Sequence, residues 1–508
     1  VSAVHGSQIS GQAALPDTCT LTFEPNLLLT PETRNLKILP VDPFTARFEA
    51  GRFLPDSMLG SNTFEYEQKP DDASHGPSWN KNMPQSDPID CDVLVIGAGM
   101  AGMAAALFAA NRGKSVVQVG IPGEIIYASG LLDVLGVHPI EKGRLWRNPW
   151  AAVAAVSNDV PNHPYAKTSA DGIQKAFHEF LSFLTDAGLP YRRYKNRNVD
   201  VITPAGTTKR TYAVPGSMWP GVLAWQQKRK CLMVDFEGMK GFSTRQIRAV
   251  IGNRWPQLRA ATVPFPEPTV SQYPEKMAFS LQQPHHREKL AADIAPLVGD
   301  ARGVGFPAIL GIHRISEVVE DLRNRLGVPI FEVPTLPPAV TGLRLNDAFA
   351  RSLPSLGVRT LYHKKVLKAQ VNRAGRFACD IGSEYPELIV HAKAAILATG
   401  RFIGQGLVAD RRRIRETLFD LPVTQPKDRT QWHRTDFLDH RGHAINQTGI
   451  ETDNSFRPLN PQGRPAYQQL FAAGSILAHA DWIRMKCGSG LAIATAYAAV
   501  KSCLQNIH

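Results

Sequence analysis

Asp92-Val93-Leu94-Val95-Ile96-Gly97-Ala98-Gly99-Met100-Ala101-Gly102 is the stretch on which the fold turns. Its first half is a short, β-rich apolar run, the pattern of a parallel strand buried on both faces. The second half has GxGxxG spacing. Gly97 permits the tight turn, Gly99 lets backbone approach a phosphate, and Gly102 lets helix pack on strand. An Ala-rich helix follows through Asn111, Gly113 caps it, and residues 115–119 form the next strand. This is one βαβ unit, and it predicts an α/β, doubly wound Rossmann-like fold. The helix N-terminus, at Gly97, Gly99, Met100, Ala101 and Gly102, offers free N–H groups and a positive dipole end to a nucleotide phosphate.

The next informative feature is an absence. Dinucleotide folds place Asp or Glu after the second strand to bind the adenosine ribose. Here that strand runs into Gly120, and the nearest acid is Glu124. Either Glu124 reaches back to the ribose of FAD or NAD, or the ligand lacks an adenosine, as FMN does. The missing acid favours FMN, with FAD as the alternative.

At 508 residues the chain exceeds the size of a single hydrophobic core. No apolar run approaches the roughly 20 residues that cross a bilayer, and no secretory signal is visible, so membrane contact is expected to be peripheral. Six cysteines (Cys19, Cys91, Cys231, Cys379, Cys487, Cys503) are scattered without a CxxC pair. That spacing argues against a disulfide scaffold and an iron–sulfur cluster, and it suits a reducing cytoplasm. No metal site is expected. The net charge of +12 suits anionic lipid, an acidic partner or a phosphorylated substrate. Its sharpest run is Arg411-Arg412-Arg413-Ile414-Arg415, which lacks the aromatic interleaving of a nucleic-acid site.

Residues 1–88 open on Val1, lack sustained periodicity and read as a loop-rich or disordered extension. Residues 89–135 form the first part of the nucleotide domain. Residues 136–300 read as an inserted substrate or cap region, with an amphipathic helix at 172–187 and strands at 199–203 and 211–214. The rest, 301–508, is expected to complete the nucleotide domain. There the βαβ rhythm returns near 308–312, with helices at 315–326 and 343–353 and a strand at 330–333. Strands at 358–362, 367–371 and 376–381 read as a meander, followed by 388–390 and 394–397. A strand near 470–473 and a long helix over 488–504 close the chain.

Ala398-Thr399-Gly400 and Ala472-Ala473-Gly474 repeat a strand-into-glycine pattern. In two-dinucleotide flavoproteins the first closes a strand near the cofactor, and the second brings backbone toward the ribityl chain. An acid usually follows the second, and Ser475 stands there instead. Gly488-Ser489-Gly490 opens the last helix, placed to aim its dipole at a flavin pyrimidine and stabilise negative charge on reduction.

Over residues 90–505 the chain resembles the B subunit of the anaerobic glycerol-3-phosphate dehydrogenase. The resemblance rests on residues 96–102, on Ala128-Ser129-Gly130-Leu131-Leu132-Asp133-Val134-Leu135 and on Pro334-Thr335-Leu336-Pro337-Pro338. It continues through Gly342-Leu343-Arg344-Leu345, Ala398-Thr399-Gly400-Arg401-Phe402, Gly406-Leu407-Val408-Ala409, Ala473-Gly474-Ser475-Ile476-Leu477 and Gly488-Ser489-Gly490. It implies a flavoprotein, usually assigned FMN, in a complex that oxidises glycerol 3-phosphate to dihydroxyacetone phosphate with quinone as final acceptor. It also implies a larger FAD-bearing catalytic subunit and an iron–sulfur membrane-anchoring subunit. The complex would lie on the inner face of the cell membrane through a partner. Two readings stand beside it: a non-catalytic subunit that stabilises its partner, and a self-sufficient FAD oxidoreductase with another substrate.

Ser129 and Asp133 follow the second strand, where loops face the cofactor crevice. Arg344 and Arg401 are candidates to hold a phosphate by bidentate hydrogen bonds. His138, His163 and His479 are candidate acid–base groups. Oxidising a secondary alcohol needs a base for the hydroxyl proton, from this chain or a partner.

Overall fold

In the computed structural model, residues 87–267 and 272–507 are described, apart from the side chain of Glu124. The reading of 1–88 as loop or disorder falls outside them except at Asp87 and Pro88, and so does the reading of Glu124 as a ribose ligand.

The opening βαβ unit comprises β1 (Ile89–Ile96), α1 (Met100–Ala110) and β2 (Val116–Gly120). β1 is central. It pairs in parallel with β2 on one side, Val93 opposite Val116, and with Pro386–Leu397 on the other, Val93 opposite Ala394. Val93, Leu94 and Val95 are fully buried, which explains why the strand reads as an unbroken apolar run. The seven-stranded sheet and its neighbours make an α/β, Rossmann-like architecture.

Two expectations about its far strands change. Val358–Tyr362 is no meander strand: it lies parallel to β2 as the outer strand of the βαβ side. The helix before it, Val340–Ser355, supplies the long crossover that parallel pairing requires. The stretches read as 388–390 and 394–397 are one strand, Pro386–Leu397. Its first part pairs antiparallel with Phe377–Gly382, and its last residues pair in parallel with Leu470–Ala472. Only Lys365–Val371, Phe377–Gly382 and Pro386–Leu397 form the meander.

The inserted region has a parallel four-stranded sheet, ordered Ile330–Val333, Val304–Pro307, Cys231–Phe236, Leu258–Val263. It therefore continues past residue 300, and the strand expected near 308–312, at the return to the nucleotide domain, lies instead at Val304–Pro307 in this sheet. Short apolar strands look alike in any parallel sheet, so local pattern does not say which one they join. Residues 308–312 follow the strand as a mostly buried turn.

Packing explains the helices. α1 is buried over Ala101–Ala109, and its small side chains let it lie close to the sheet and to the C-terminal helix Gly488–Asn506. Phe108 meets Tyr497 of that helix edge-on, ring centres 5.2 Å apart. Helix Ala170–Asp186 starts where the Ser169 side chain accepts from Gly172 N, and buries Ile173, Phe177, Phe180 and Leu184 completely. Each such side chain contributes about 1.5–3 kcal/mol of burial. Among the described residues no helix is long and apolar enough to cross a membrane, and no cluster of His, Cys, Asp or Glu could hold a metal ion.

Candidate flavin site

The glycine turn is close to incompressible. Gly97 has φ +130°, and a Cβ there would collide with the Ala398 carbonyl oxygen at the end of the neighbouring strand. A Cβ on Gly102 would collide with the Gly97 carbonyl oxygen. Gly99 is the N-cap of α1, with ordinary extended backbone (φ −80°, ψ −175°) and no side-chain cap. The first-turn N–H groups of α1 have no partner within the helix, which suits an anion. Gln118, fully buried in β2, donates through Nε2 to the Gly97 oxygen at 3.1 Å and pins the turn. Sequence reading missed it; the signal was one amide inside Val-Val-Gln-Val.

A second wall comes from the C-terminal third of the chain. Gly474 (φ +83°) lies so near α1 that a Cβ there would sit 2.6 Å from the Ala101 Cβ. Its N–H donates to Thr495 Oγ1 of the C-terminal helix at 2.9 Å. That helix also begins without a side-chain cap. Gly490 in its first turn is packed against residues 133–134, where a Cβ would come within 2.5 Å of the Tyr165 hydroxyl. Ser489 Oγ accepts from Asp133 N at 2.7 Å, tying the helix start to the Ser-Gly-Leu-Leu-Asp loop. Gly488 backs onto the Trp482 ring. The Thr399 hydroxyl, in the triplet that abuts Gly97, is buried without a hydrogen-bond partner. A cradle of glycines, two uncapped helix starts and an orphaned buried hydroxyl fit a flavin nucleotide.

Not every predicted residue joins this cradle. Ser129 Oγ makes a long, local contact with Leu131 N (3.5 Å), within the loop that reaches the C-terminal helix through Asp133. Gly400 (φ +71°) packs against Gly406 in the turn beyond the strand. The Ser475 carbonyl is occupied by the Arg401 side chain. Asp133 pairs with Lys209 at 2.9 Å.

Both arginines expected at a phosphate are spent elsewhere. Arg401 donates to the carbonyls of Ser475, Asn446, Leu477 and Ala480. Burial lowers its pKa to about 10. It shapes the loop after Gly474 rather than binding a ligand. Arg344 forms a two-pronged pair with Glu332 (2.7 and 2.9 Å) and donates to the Gly311 oxygen. The Arg411–Arg413 run is exposed at the turn between Leu407–Ala409 and Ile414–Glu416 and takes no part in this cradle.

The histidines separate clearly. His138 Nε2 pairs with Asp159 at 2.9 Å. His163 is fully buried, and its Nδ1 accepts from Tyr165 N. Burial pushes its pKa down to about 3, with His138, His479 and Lys167 adding to the same effect. The native state therefore binds fewer protons than the unfolded chain below the ordinary value of 6.5. Its contribution to stability is complete above that value and is lost as pH falls toward about 3. Asparagine can replace the Nδ1 acceptor without a titrating ring. Urea midpoints are expected to fall less steeply between about pH 6.5 and 4.5 in His163→Asn than in the parent. Equal slopes would show that His163 is not held neutral.

Residues 92–491, which span this cradle, match a family model described as an FAD binding domain. A Halobacterium salinarum protein described as the probable B subunit of an anaerobic glycerol-3-phosphate dehydrogenase is 32% identical over 439 residues, 83% of this chain and 99% of that one. The chain belongs to the B-subunit family of the anaerobic glycerol-3-phosphate dehydrogenases. Bacterial members agree: that of Vibrio vulnificus is 28% identical over 81% of this chain and 96% of its own, and that of Vibrio cholerae 30% over the same shares. The expected family is thus the observed one, and it is a family of flavin-dependent oxidoreductases.

The segments most distinctive of that family meet in space. Ala339 N donates to the Ile126 oxygen at 3.0 Å, and Thr341 Oγ1 to the Ala128 oxygen at 3.2 Å. A Cβ on Gly342 would sit 2.5 Å from the Ile125 oxygen. The Thr-Leu-Pro-Pro segment and the helix after it therefore brace the Ser-Gly-Leu-Leu-Asp loop, which in turn holds the C-terminal helix start.

Proposed function

We propose that this chain is the flavin-carrying B subunit of a respiratory glycerol-3-phosphate dehydrogenase complex, oxidising sn-glycerol 3-phosphate to dihydroxyacetone phosphate and passing electrons toward quinone through partner subunits. The observation that supports this reading is the glycine cradle: Gly97 and Gly102 closing the turn before α1, Gly474 packed against Ala101 in its first turn, and the C-terminal helix start tied through Ser489 to the Ser129–Asp133 loop. Gly97, Gly99, Met100, Ala101, Gly102, Gly474 and Ser475 would hold the phosphate and ribityl parts. The first turn at Gly488, Ser489 and Gly490 would face the pyrimidine, with Ser129 and Gly400 in supporting loops. A bound flavin supplies the two-electron acceptor. The chain's task is to orient it, exclude water and supply or border the proton acceptor. The partners proposed are a larger FAD-bearing subunit and an iron–sulfur subunit that anchors the assembly to the inner face of the membrane.

FMN is the cofactor we favour, and Gly120 is the reason. A Cβ at that position would sit 2.6 Å from Ala98 N in the glycine turn, so no acid for an adenosine ribose fits at the end of β2. The family description as an FAD binding domain supports the second reading, FAD. Mass analysis of flavin released by heat from the purified chain is expected to return FMN; FAD would reverse this choice. Bleaching of the flavin by glycerol 3-phosphate, with the partner subunit present, tests the reaction. A protein that stays colourless with either flavin would end the flavin reading altogether.

A further inference from the structure

Resting on that reading, we infer that His479, oriented by Glu451, is the group that takes the proton from the substrate hydroxyl. His479 sits on the loop between Gly474 and the start of the C-terminal helix, both walls of the flavin cradle. Its backbone is left-handed, φ +66°, a conformation uncommon outside glycine, though asparagine, aspartate and histidine adopt it more readily than other residues. The Arg401 carbonyl clamp on Ser475, Leu477 and Ala480 brackets it, and its own N–H donates to the Gln447 oxygen. Such a conformation persists only when the surroundings enforce it, as they do at functional sites.

The side chain is oriented as well. His479 Nε2 lies 2.8 Å from Glu451 Oε1. Burial alone would raise the Glu451 carboxyl, but His479, Thr424 and Lys167 together hold it below its ordinary value, so it is ionised. An ionised carboxylate accepts, so the ring proton belongs on Nε2 and the Nδ1 lone pair is left to take another. Among the described residues Nδ1 has no hydrogen-bond partner, and the ring is 23% exposed.

The other two histidines differ in what their rings can reach. His163 has Nδ1 occupied and is kept neutral by burial. His138 makes the same kind of Nε2 pair, with Asp159, but its ring is only 7% exposed, and its carboxylate partner lies on Pro149–Asp159 rather than next to a strand beside the loop after Gly474. The charged groups near the dyad are Lys167, whose Nζ donates to Thr452 O and Oγ1, Asp453 beyond it, Arg401 clamping the His479 loop, and Asp481 paired with Arg484. Neutral His163 borders them. In the step proposed, the substrate O–H bond breaks and its proton passes to Nδ1. A bound oxidised flavin would supply the acceptor for the hydrogen and electron pair of the adjacent C–H bond, leaving the carbonyl.

The test uses the flavin-loaded complex with its partner. His479→Asn keeps a residue that tolerates left-handed backbone. It is expected to retain full flavin yet slow bleaching by glycerol 3-phosphate about a hundredfold or more. Glu451→Gln is expected to slow it about tenfold or more. A readout independent of turnover is the nitrogen NMR of the His479 ring at about pH 8, expected to report Nε2–H and a bare Nδ1. Bleaching within about threefold of the parent in His479→Asn, or a proton on Nδ1, would overturn the inference. If glycerol 3-phosphate fails to bleach the parent complex, the substrate reading falls on its own, and the ring tautomer still decides the dyad.

Discussion

Gly99→Val is expected to give a folded but colourless protein. The two neighbouring glycines cannot make this distinction. Gly97 has φ +130° and no room for a Cβ beside the Ala398 oxygen, so Gly97→Ala strains the backbone and pushes two strands apart whether or not flavin is present. Gly102→Ala collides with the turn itself. Gly99, by contrast, holds φ −80° and ψ −175°, which valine adopts without strain. It makes no side-chain cap hydrogen bond for valine to remove, so what is lost is only glycine's own preference over valine at an N-cap, under about 1 kcal/mol. The added side chain stands instead where the uncapped N–H groups of α1 meet the phosphate. Flavin retention should drop at least tenfold, read as absorbance per protein after gel filtration, while the urea midpoint of the flavin-free protein shifts by less than about 1 kcal/mol equivalent. Full flavin in Gly99→Val would remove the phosphate from this helix start.

Some of this was open to sequence reading because the constraint is local. Gly97, Gly99 and Gly102 fall within one turn, and the collisions that require two of them involve that turn and one adjoining strand. The absent acid at Gly120 could also be read, but not its cause: Ala98 N, its nearest obstacle, lies in the turn that ends the neighbouring strand. Arg344 and Arg401 illustrate the opposite limit. An arginine in a distinctive segment looks the same in sequence whether it binds phosphate, pairs with a buried carboxylate or collects carbonyls. Only the partners decide, and these are Glu332 for Arg344 and four loop carbonyls for Arg401. Ile330–Val333 was legible as a strand, its neighbour was read as 308–312 where the structure has Val304–Pro307, and the sheet they share was not legible, because pairing is a long-range fact. The same holds for His479. Its sequence neighbours marked a flavin loop, but Glu451 becomes its partner only when Gly449–Ile450 is laid beside Leu477 and Ala478.

Arg344→Met is expected to cost about 3–5 kcal/mol of stability, the largest single effect we anticipate outside the cradle. Both side chains of the pair are essentially out of water, with Glu332 0% and Arg344 2% exposed. The carboxylate is fully engaged: it accepts from both terminal nitrogens of Arg344, from Ser217 Oγ at 2.7 Å and from Leu310 N at 2.8 Å. Burial opposes its ionisation, and Arg344, Ser217 and Leu310 outweigh that, holding its pKa below the ordinary value. Methionine fills much of the arginine stem's volume but leaves a buried carboxylate without its cation, and that uncompensated charge is what destabilises. The pair itself adds little over an apolar match of the same shape, so Arg344→Met with Glu332→Leu should recover most of the loss. Arg344→Lys keeps the charge but loses the fork and the bond to Gly311, and should fall between. Urea midpoints for the three variants check the order. The function should follow the stability, because Glu332 stands on the inserted sheet and Arg344 on the helix whose first turn, at Val340–Gly342, braces the Ser-Gly-Leu-Leu-Asp loop. A single change more than one element away from the flavin should therefore weaken its retention together with the fold, whereas the double variant restores both. Retention lost in the double variant at normal stability would instead give Arg344 a direct part in holding the cofactor.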